Sequence, residues 1–372
     1  MKANPRVLIL TASYGNGHLQ ASKALYQQFV EQGIEHVKIV NLMKEGHPFI
    51  NLITTKLINT SVRSSRFGLD YYGWCYYLTR ETKQTALFQK SMNLLGQRKL
   101  RELIQQEQPD VVINTFPFGA APEVCSTMGI QNFTVLTDYA LHASWLHSHV
   151  DKYYVATEEL KQQIVFRGVS KDRVEVSGIP IRQEFAMESM TAQGKKKNLI
   201  LIMAGDPGVN SYMEDILNTL AVIPQSRFLV ICGHNDKLRL RLLEVFGTNK
   251  RIMILGYVEN VHEWMSQASC ILTKAGGLTV TEAIALRLPI FIYKPHAGQE
   301  KENALYLSSR GVAAISYQLE ELSAHINDFF HNPSLHDVVS NRMANMQRRE
   351  AAAHIVRDIA QRSATPSISI SM

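Results

Sequence analysis

Twelve short apolar runs of three to six residues recur along the chain: Arg6–Thr11, Val37–Asn41, Val111–Asn114, Phe133–Leu136, Tyr153–Ala156, Val174–Ser177, Leu199–Met203, Phe228–Cys232, Ile252–Leu255, Cys270–Leu272, Ile290–Tyr293 and Ala313–Ile315. Continuous rather than alternating, and rich in Val, Ile and Leu, they predict strands covered on both faces. Between them the spacing of apolar residues turns helical, as in Leu19 to about Gln32, Asp236–Phe246 and Val261–Ser266. Two further helices are expected after Ile315, the last from about Pro333 to Arg362. Strand and helix in alternation predict an α/β protein with doubly wound sheets. A chain of 372 residues exceeds what one core usually covers, so two domains are expected, 1–185 and 199–340. The polar, basic, glycine-bearing stretch AMESMTAQGKKKN, residues 186–198, is the expected linker. The Ser-rich tail 363–372 is expected to be disordered.

Ligands of doubly wound sheets lie off the carboxyl ends of the strands, so the loops there hold the candidate chemistry. After Arg6–Thr11 comes Ala12-Ser13-Tyr14-Gly15-Asn16-Gly17-His18, which lacks the GxGxxG spacing of a dinucleotide site. On spacing alone two readings of His18 stay open: an ordinary residue at a helix start, or a base. Asp138, at the end of Phe133–Leu136, either orients His18 or caps the next turn. His142, His147 and His149 match no ligand spacing, and no metal is expected.

The densest stretch is Thr273–Asn303. A strand there meets Gly276-Gly277 and opens a helix carrying Thr279, Thr281 and Glu282. The unpaired N–H groups and positive dipole of such a helix start seat a phosphate or diphosphate. Beyond the next strand, Gln299, Glu300 and Asn303 crowd side chains suited to a sugar or ribose, though Glu300 also reads as a surface helix residue. Gly205 lies in another strand-end glycine loop, and the backbone around Tyr257 suits a base.

Charge adds a possible partner. The chain carries +6, yet His47–Arg101 alone has nine basic residues against two acidic ones. Arg63, Arg66 and Arg80 are among them, interleaved with aromatics such as Trp74. Packed helices with a solvated cationic face are one reading; a surface for anionic lipid is another. No nucleic-acid-binding motif accompanies the charge, so no nucleic-acid partner is expected. Any membrane contact is expected to be peripheral, because no apolar run approaches the ~20 residues of a spanning helix. The four cysteines, without CxxC spacing, read as free thiols.

TKAGGLTVTEA and KPHAGQEKEN, together with GNGH, TDYALHASW, YYVAT and GIPIR, resemble the nucleotide-sugar glycosyltransferases that include monogalactosyldiacylglycerol synthase, diacylglycerol glucosyltransferase and the peptidoglycan N-acetylglucosaminyl transferase. The set is most similar to the bacterial diacylglycerol β-glucosyltransferases. The resemblance implies a GT-B fold, two Rossmann-like domains facing a central cleft, with a C-terminal helix, 341–362, crossing back to the first domain. It implies His18 as general base, assisted by Asp138, in an acceptor loop of Gly15, Asn16 and Gly17. Gly276, Gly277, Thr279, Glu282, Gln299, Glu300, Asn303, Gly205 and Tyr257 would bind the donor, and Arg63, Arg66, Trp74 and Arg80 the membrane.

The implied reaction is inverting transfer of glucose from UDP-glucose to diacylglycerol, and onward to glucosyldiacylglycerol, peripherally at the cytoplasmic membrane face. Its products serve as glycolipids and lipoteichoic acid anchors. No cofactor is expected, the UDP-sugar being a substrate; no Asp-x-Asp pair occurs to hold a metal. A UDP-galactose-dependent enzyme and a non-catalytic UDP-sugar sensor are the alternatives.

Overall fold

The computed structural model describes residues 4–12, 17–42, 76, 77, 80, 87–191, 198–205 and 212–363, with the side chains of 87–96, 188–191 and 363 excepted. They form two compact units. One is built from the chain up to Arg182 and from Arg348 onward, the other from Gln183–Gln347 with Tyr76.

The first unit is a six-stranded sheet of β1 (Val7–Thr11), β2 (Val37–Asn41), β3 (Val111–Asn114), β4 (Gln131–Val135), β5 (Lys152–Val155) and β6 (Val174–Val176), in the order β2-β1-β3-β4-β5-β6. All pairings are parallel, β1 setting Val7 against Val37 on one side and Val111 on the other. Successive β1 side chains enter opposite layers. Leu8 and Leu10 pack with Leu100, Ile104 and Val124, whereas Val7 and Ile9 pack with Leu25, Phe29, Ile355 and Ile359. Burial on both faces is why the run is apolar throughout. The sheet order reverses between β1 and β3, which sets the loops after these two strands on either side of a topological switch point.

The second unit repeats the plan with β7 (Leu199–Met203), β8 (Arg227–Ile231), β9 (Ile252–Leu255), β10 (Cys270–Leu272), β11 (Ile290–Tyr293) and β12 (Ala313–Ser316), all parallel, in the order β12-β11-β10-β7-β8-β9. Its switch point lies between β7 and β10. Each of the twelve expected runs is thus a strand, with ends moved by a residue or two.

Two expectations from the chain's pattern need correction. Ala186 to Thr191, expected in a linker, belong to the helix Gln183–Thr191, whose Phe185 is fully buried with its ring edge-on to His262. An apolar anchor of this kind holds the polar residues around it in helix. The single helix expected over Pro333–Arg362 is two, Pro333–Met346 and Ala351–Ser363. Gln347 breaks it with extended backbone, ψ 133°, and its side-chain amide donates to the carbonyls of Ile284 and Ala285, both at 2.9 Å. Those carbonyls lie in the last turn of the helix Gly277–Ala285, where that of Ile284 also accepts from Arg287 N at 3.1 Å.

The helix Ala351–Ser363 is held to the first sheet by more than its apolar face. Asp358 accepts from Lys152 Nζ at 2.8 Å and from the Tyr154 hydroxyl at 2.7 Å, and Lys152 also meets Glu175 at 3.3 Å. Burial pushes the Asp358 carboxyl up, but the bonds from Lys152 and Tyr154 and the charges of Lys152 and Arg362 bring it below the ordinary aspartate range. A depressed carboxyl adds stability above the unfolded-state value, which is lost as pH falls through the folded-state one.

Gly178, in the GIPIR step, adopts φ +89°, and a Cβ built on it lies 2.4 Å from the Cβ of Arg348. Gly33 has φ +80° with nothing within 4 Å of a built Cβ. Gly33→Ala is therefore expected to lose only the left-handed penalty, about 1 kcal/mol, while Gly178→Ala adds an overpacking cost of about 1–3 kcal/mol. Urea unfolding of the two variants checks the difference; equal losses would deny the close approach.

Candidate active site

In the first unit the loops after β1, β3 and β4 converge on one imidazole. His18 is the second residue of the helix Gly17–Glu31, which opens just after β1. Its Nδ1 lies 2.8 Å from the carbonyl oxygen of Thr115, after β3, and 2.9 Å from the hydroxyl of Thr137, after β4. A carbonyl oxygen can only accept, so Nδ1 carries the proton and Nε2 keeps its lone pair. The ring is also enclosed by Phe116, edge-on at 5.1 Å, and by Trp145, tilted at 6.4 Å.

Buried hydroxyls link Thr115 to its neighbours. The Ser22 and Thr115 hydroxyls are 2.9 Å apart; that of Ser22 donates to the His18 carbonyl at 2.9 Å, and that of Thr115 to Leu10 of β1 at 3.2 Å. Asp138 is buried beside Thr137, and its charge acts on His18. Burial lowers the His18 pKa from 6.5; Asp138 and the Thr115 carbonyl oppose this without cancelling it. His18 is a neutral imidazole at pH 7, held by one nitrogen and basic at the other.

Gly17 begins the helix, while Gly15 and Asn16 lie outside the described residues, as do Arg63, Arg66 and Trp74 of the basic segment. Arg80 is described, and its carbonyl accepts from Arg167 at 3.5 Å. His142 caps the short helical turn Ala143–Trp145 by accepting from Ser144 N. Among the described residues no group of three or more His, Cys, Asp or Glu is placed to hold a metal, and no helix is long and apolar enough to cross a membrane.

The second unit gathers its candidates at the ends of β7, β8, β9, β10 and β11. Gly276 caps the helix Gly277–Ala285 without any side-chain bond to the first turn. Its φ of −69° is open to any residue, and among the described residues nothing lies within 4 Å of a Cβ built there. What this glycine supplies is room above the helix start. Thr279 is half-buried in the first turn. Glu282, expected there too, is the sixth residue of the helix and buried.

Gly298, φ +97° and ψ −144°, adopts a conformation essentially reserved for glycine and starts the helix Gln299–Ser309. Gln299 is half-buried, and Glu300 pairs through Oε1 with Lys274 Nζ at 2.9 Å. Asn303, expected among the sugar contacts, is fully buried, and its amide donates to the Ala275 carbonyl at 3.0 Å. It straps the glycine loop to the next helix. Gly205 sits against Gly233, whose built Cβ would come 3.5 Å from the Gly205 Cα. Tyr257 is 53% exposed and stacks on His234, the rings 4.3 Å apart and 13° from parallel.

Sequence reading missed Thr115, Thr137, Ser22, Lys274 and His234. Four of the five stand within three residues of a strand's carboxyl end, which is the signal that would have found them.

Family models match nearly the whole chain: monogalactosyldiacylglycerol (MGDG) synthase over residues 18–181, starting at His18, and the glycosyltransferase family 28 C-terminal domain over 199–363. A processive diacylglycerol beta-glucosyltransferase of Bacillus cytotoxicus is 37% identical over 367 residues, covering 96% of this chain and 93% of the relative. The chain belongs to the processive diacylglycerol beta-glucosyltransferase family. In fold this member is also similar to MurG of Acinetobacter baumannii, with TM-score 0.64 and 16% identity over 96% of this chain and 100% of that one. Os79 of O. sativa in complex with UDP gives TM-score 0.65 at 14% identity, with the same coverage. The fold is GT-B.

His18 is expected to titrate below 6.5 with Nδ1 protonated in the neutral form. Removing the Asp138 charge removes a raising influence, so Asp138→Asn is expected to move the midpoint lower still. Histidine ¹⁵N NMR across pH reads both tautomer and midpoint; an upward shift, or a proton on Nε2, would contradict the arrangement.

Proposed function

We propose that the chain transfers glucose from UDP-glucose to the hydroxyl of diacylglycerol, with inversion, and extends the product to glucosyldiacylglycerol. The observation that carries this reading is the His18 imidazole, locked through Nδ1 and basic at Nε2, in a chain so close to a processive diacylglycerol beta-glucosyltransferase. A base of this kind is what an alcohol nucleophile needs near neutral pH.

In the proposed reaction Nε2 of His18 takes the acceptor's hydroxyl proton. The acceptor oxygen forms a bond to the glucose anomeric carbon as the bond from that carbon to the diphosphate breaks on the opposite face. One displacement turns an α-linked donor into a β-linked product. Asp138 stabilises the imidazolium that forms, consistent with the direction of its influence on His18. UDP leaves with added negative charge, which the uncapped N–H groups of the helix Gly277–Ala285 stabilise more in the transition state than in the bound donor. Gln299 and Glu300 hold the sugar, and Tyr257 with His234 supports the base.

The acceptor is a lipid, so the chain works at a membrane surface, held peripherally on the cytoplasmic face by the basic, aromatic segment that includes Arg63, Arg66, Trp74 and Arg80. Glycolipids and lipoteichoic acid anchors are the products' proposed use.

Metal-free incubation with diacylglycerol vesicles and either UDP-glucose or UDP-galactose, with lipid products read by mass and linkage, tests the reading. A β-glucosyl lipid or a ladder of them is expected; a β-galactosyl lipid would reassign the donor, and no lipid product would remove the acceptor. His18→Ala is expected to lower kcat by roughly 10²–10⁴-fold with UDP affinity near wild type, and parallel loss of both would move His18 to the donor site. Gly276→Val is expected to melt like wild type and bind UDP poorly, because the new side chain fills the space at the helix start; calorimetric titration with UDP decides.

A further inference from the structure

Lys274 stands two residues beyond the end of β10 and three before the helix Gly277–Ala285, on a loop whose backbone is fixed. Its carbonyl accepts from Gly276 N at 2.9 Å and from the Thr273 hydroxyl at 3.2 Å, and the next carbonyl, of Ala275, accepts from Asn303. The Lys274 side chain is 36% exposed and ion-pairs with Glu300 Oε1 at 2.9 Å. The other oxygen, Oε2, is buried and has no hydrogen-bond partner among the described residues.

This pair sits on the two elements that frame the uncapped helix start, Lys274 leading into it and Glu300 in the first turn of the helix strapped against it. The helix end carries a partial positive charge of about half a unit that cannot move. Lys274 adds a whole positive charge on a flexible four-carbon stem. A diphosphate at that helix start presents more charge and more acceptor oxygens than one carboxylate, so it competes for the ammonium. Glu300, once released, needs donors for two oxygens instead of one, and hydroxyl groups supply them.

We propose that Lys274 is a diphosphate-binding residue of the donor site, held by Glu300 in the empty protein and exchanged onto the donor's diphosphate when the nucleotide sugar arrives. The same exchange frees the Glu300 carboxylate for the sugar hydroxyls, so that neither charge loses a partner. This rests on the reading of the second unit as the donor site.

Calorimetric titration of UDP and of uridine, without metal, into wild type, Lys274→Met, Lys274→Arg and Glu300→Gln tests it. Lys274→Met is expected to weaken UDP about 10- to 100-fold and leave uridine unchanged, since uridine has no phosphate. Lys274→Arg is expected to recover most of the loss. Glu300→Gln is expected to bind UDP at least as tightly as wild type, its competitor for the ammonium having gone, while the KM for UDP-glucose rises. Unchanged UDP affinity in Lys274→Met overturns the proposal. So does equal weakening in Glu300→Gln, or a parallel loss of uridine affinity, either of which would make the pair a structural brace. A wild-type chain that binds no UDP removes the donor reading itself, and this inference with it.

Discussion

A parallel strand covered on both faces has no free side chain for chemistry along its length, and that constraint organises the whole molecule. The inner strands of both sheets are of this kind, whereas the edge strands β2, β6, β9 and β12 keep half-exposed or exposed positions, and polar function is displaced to the loops at the strands' carboxyl ends. Each sheet then reverses its order once, between β1 and β3 and between β7 and β10, and the residues that follow these strands carry the candidate chemistry. His18 and Thr115 stand at the first switch point, Gly205 and the Lys274–Gly276 loop at the second.

At the first switch point, burial and two polar groups act on His18 in opposite directions. Burial alone would make the imidazole a weak base that resists protonation; the Asp138 charge and the Thr115 carbonyl restore part of its basicity. The carbonyl does so through geometry as well, since it can pair only with a protonated Nδ1. Through its hydroxyl Thr115 is tied to Leu10 of β1 and to Ser22 on the helix bearing His18. A base whose orientation is fixed before the substrate binds has less to reorganise when the proton moves.

The glycines serve three distinct ends. Gly178 and Gly298 are required by backbone, with φ +89° and +97°, and Gly178 also by the close approach of Arg348. Gly205 and Gly233 lie backbone against backbone at ordinary contact distance, and Gly233 is also held at φ +55°. Gly276 is required by neither, and among the described residues nothing lies within 4 Å of a Cβ built on it. Asn303 keeps the loop around it in place from a buried position, which is how a rigid site is built on a loop.

Largely apolar runs bounded by polar turns located all twelve strands, because the inner strands are buried on both faces and even the edge strands bury part of theirs. The glycine turn before Thr279 and the loop before His18 were equally legible, since a strand, a turn and a helix start are local events. What the sequence could not determine was which strand ends become neighbours. Thr115 lies 97 residues from His18 and Thr137 lies 119, and only the sheet order brings both to its Nδ1. The same holds for Asn303, whose spacing from Gln299 and Glu300 suggests one shared role until burial turns it toward Ala275. Gln347 likewise reads as one more helical residue until the carbonyls of Ile284 and Ala285, over 60 residues away, claim its side chain. Hydrogen bonds between distant segments depend on where packing sets them, and local pattern carries no record of that.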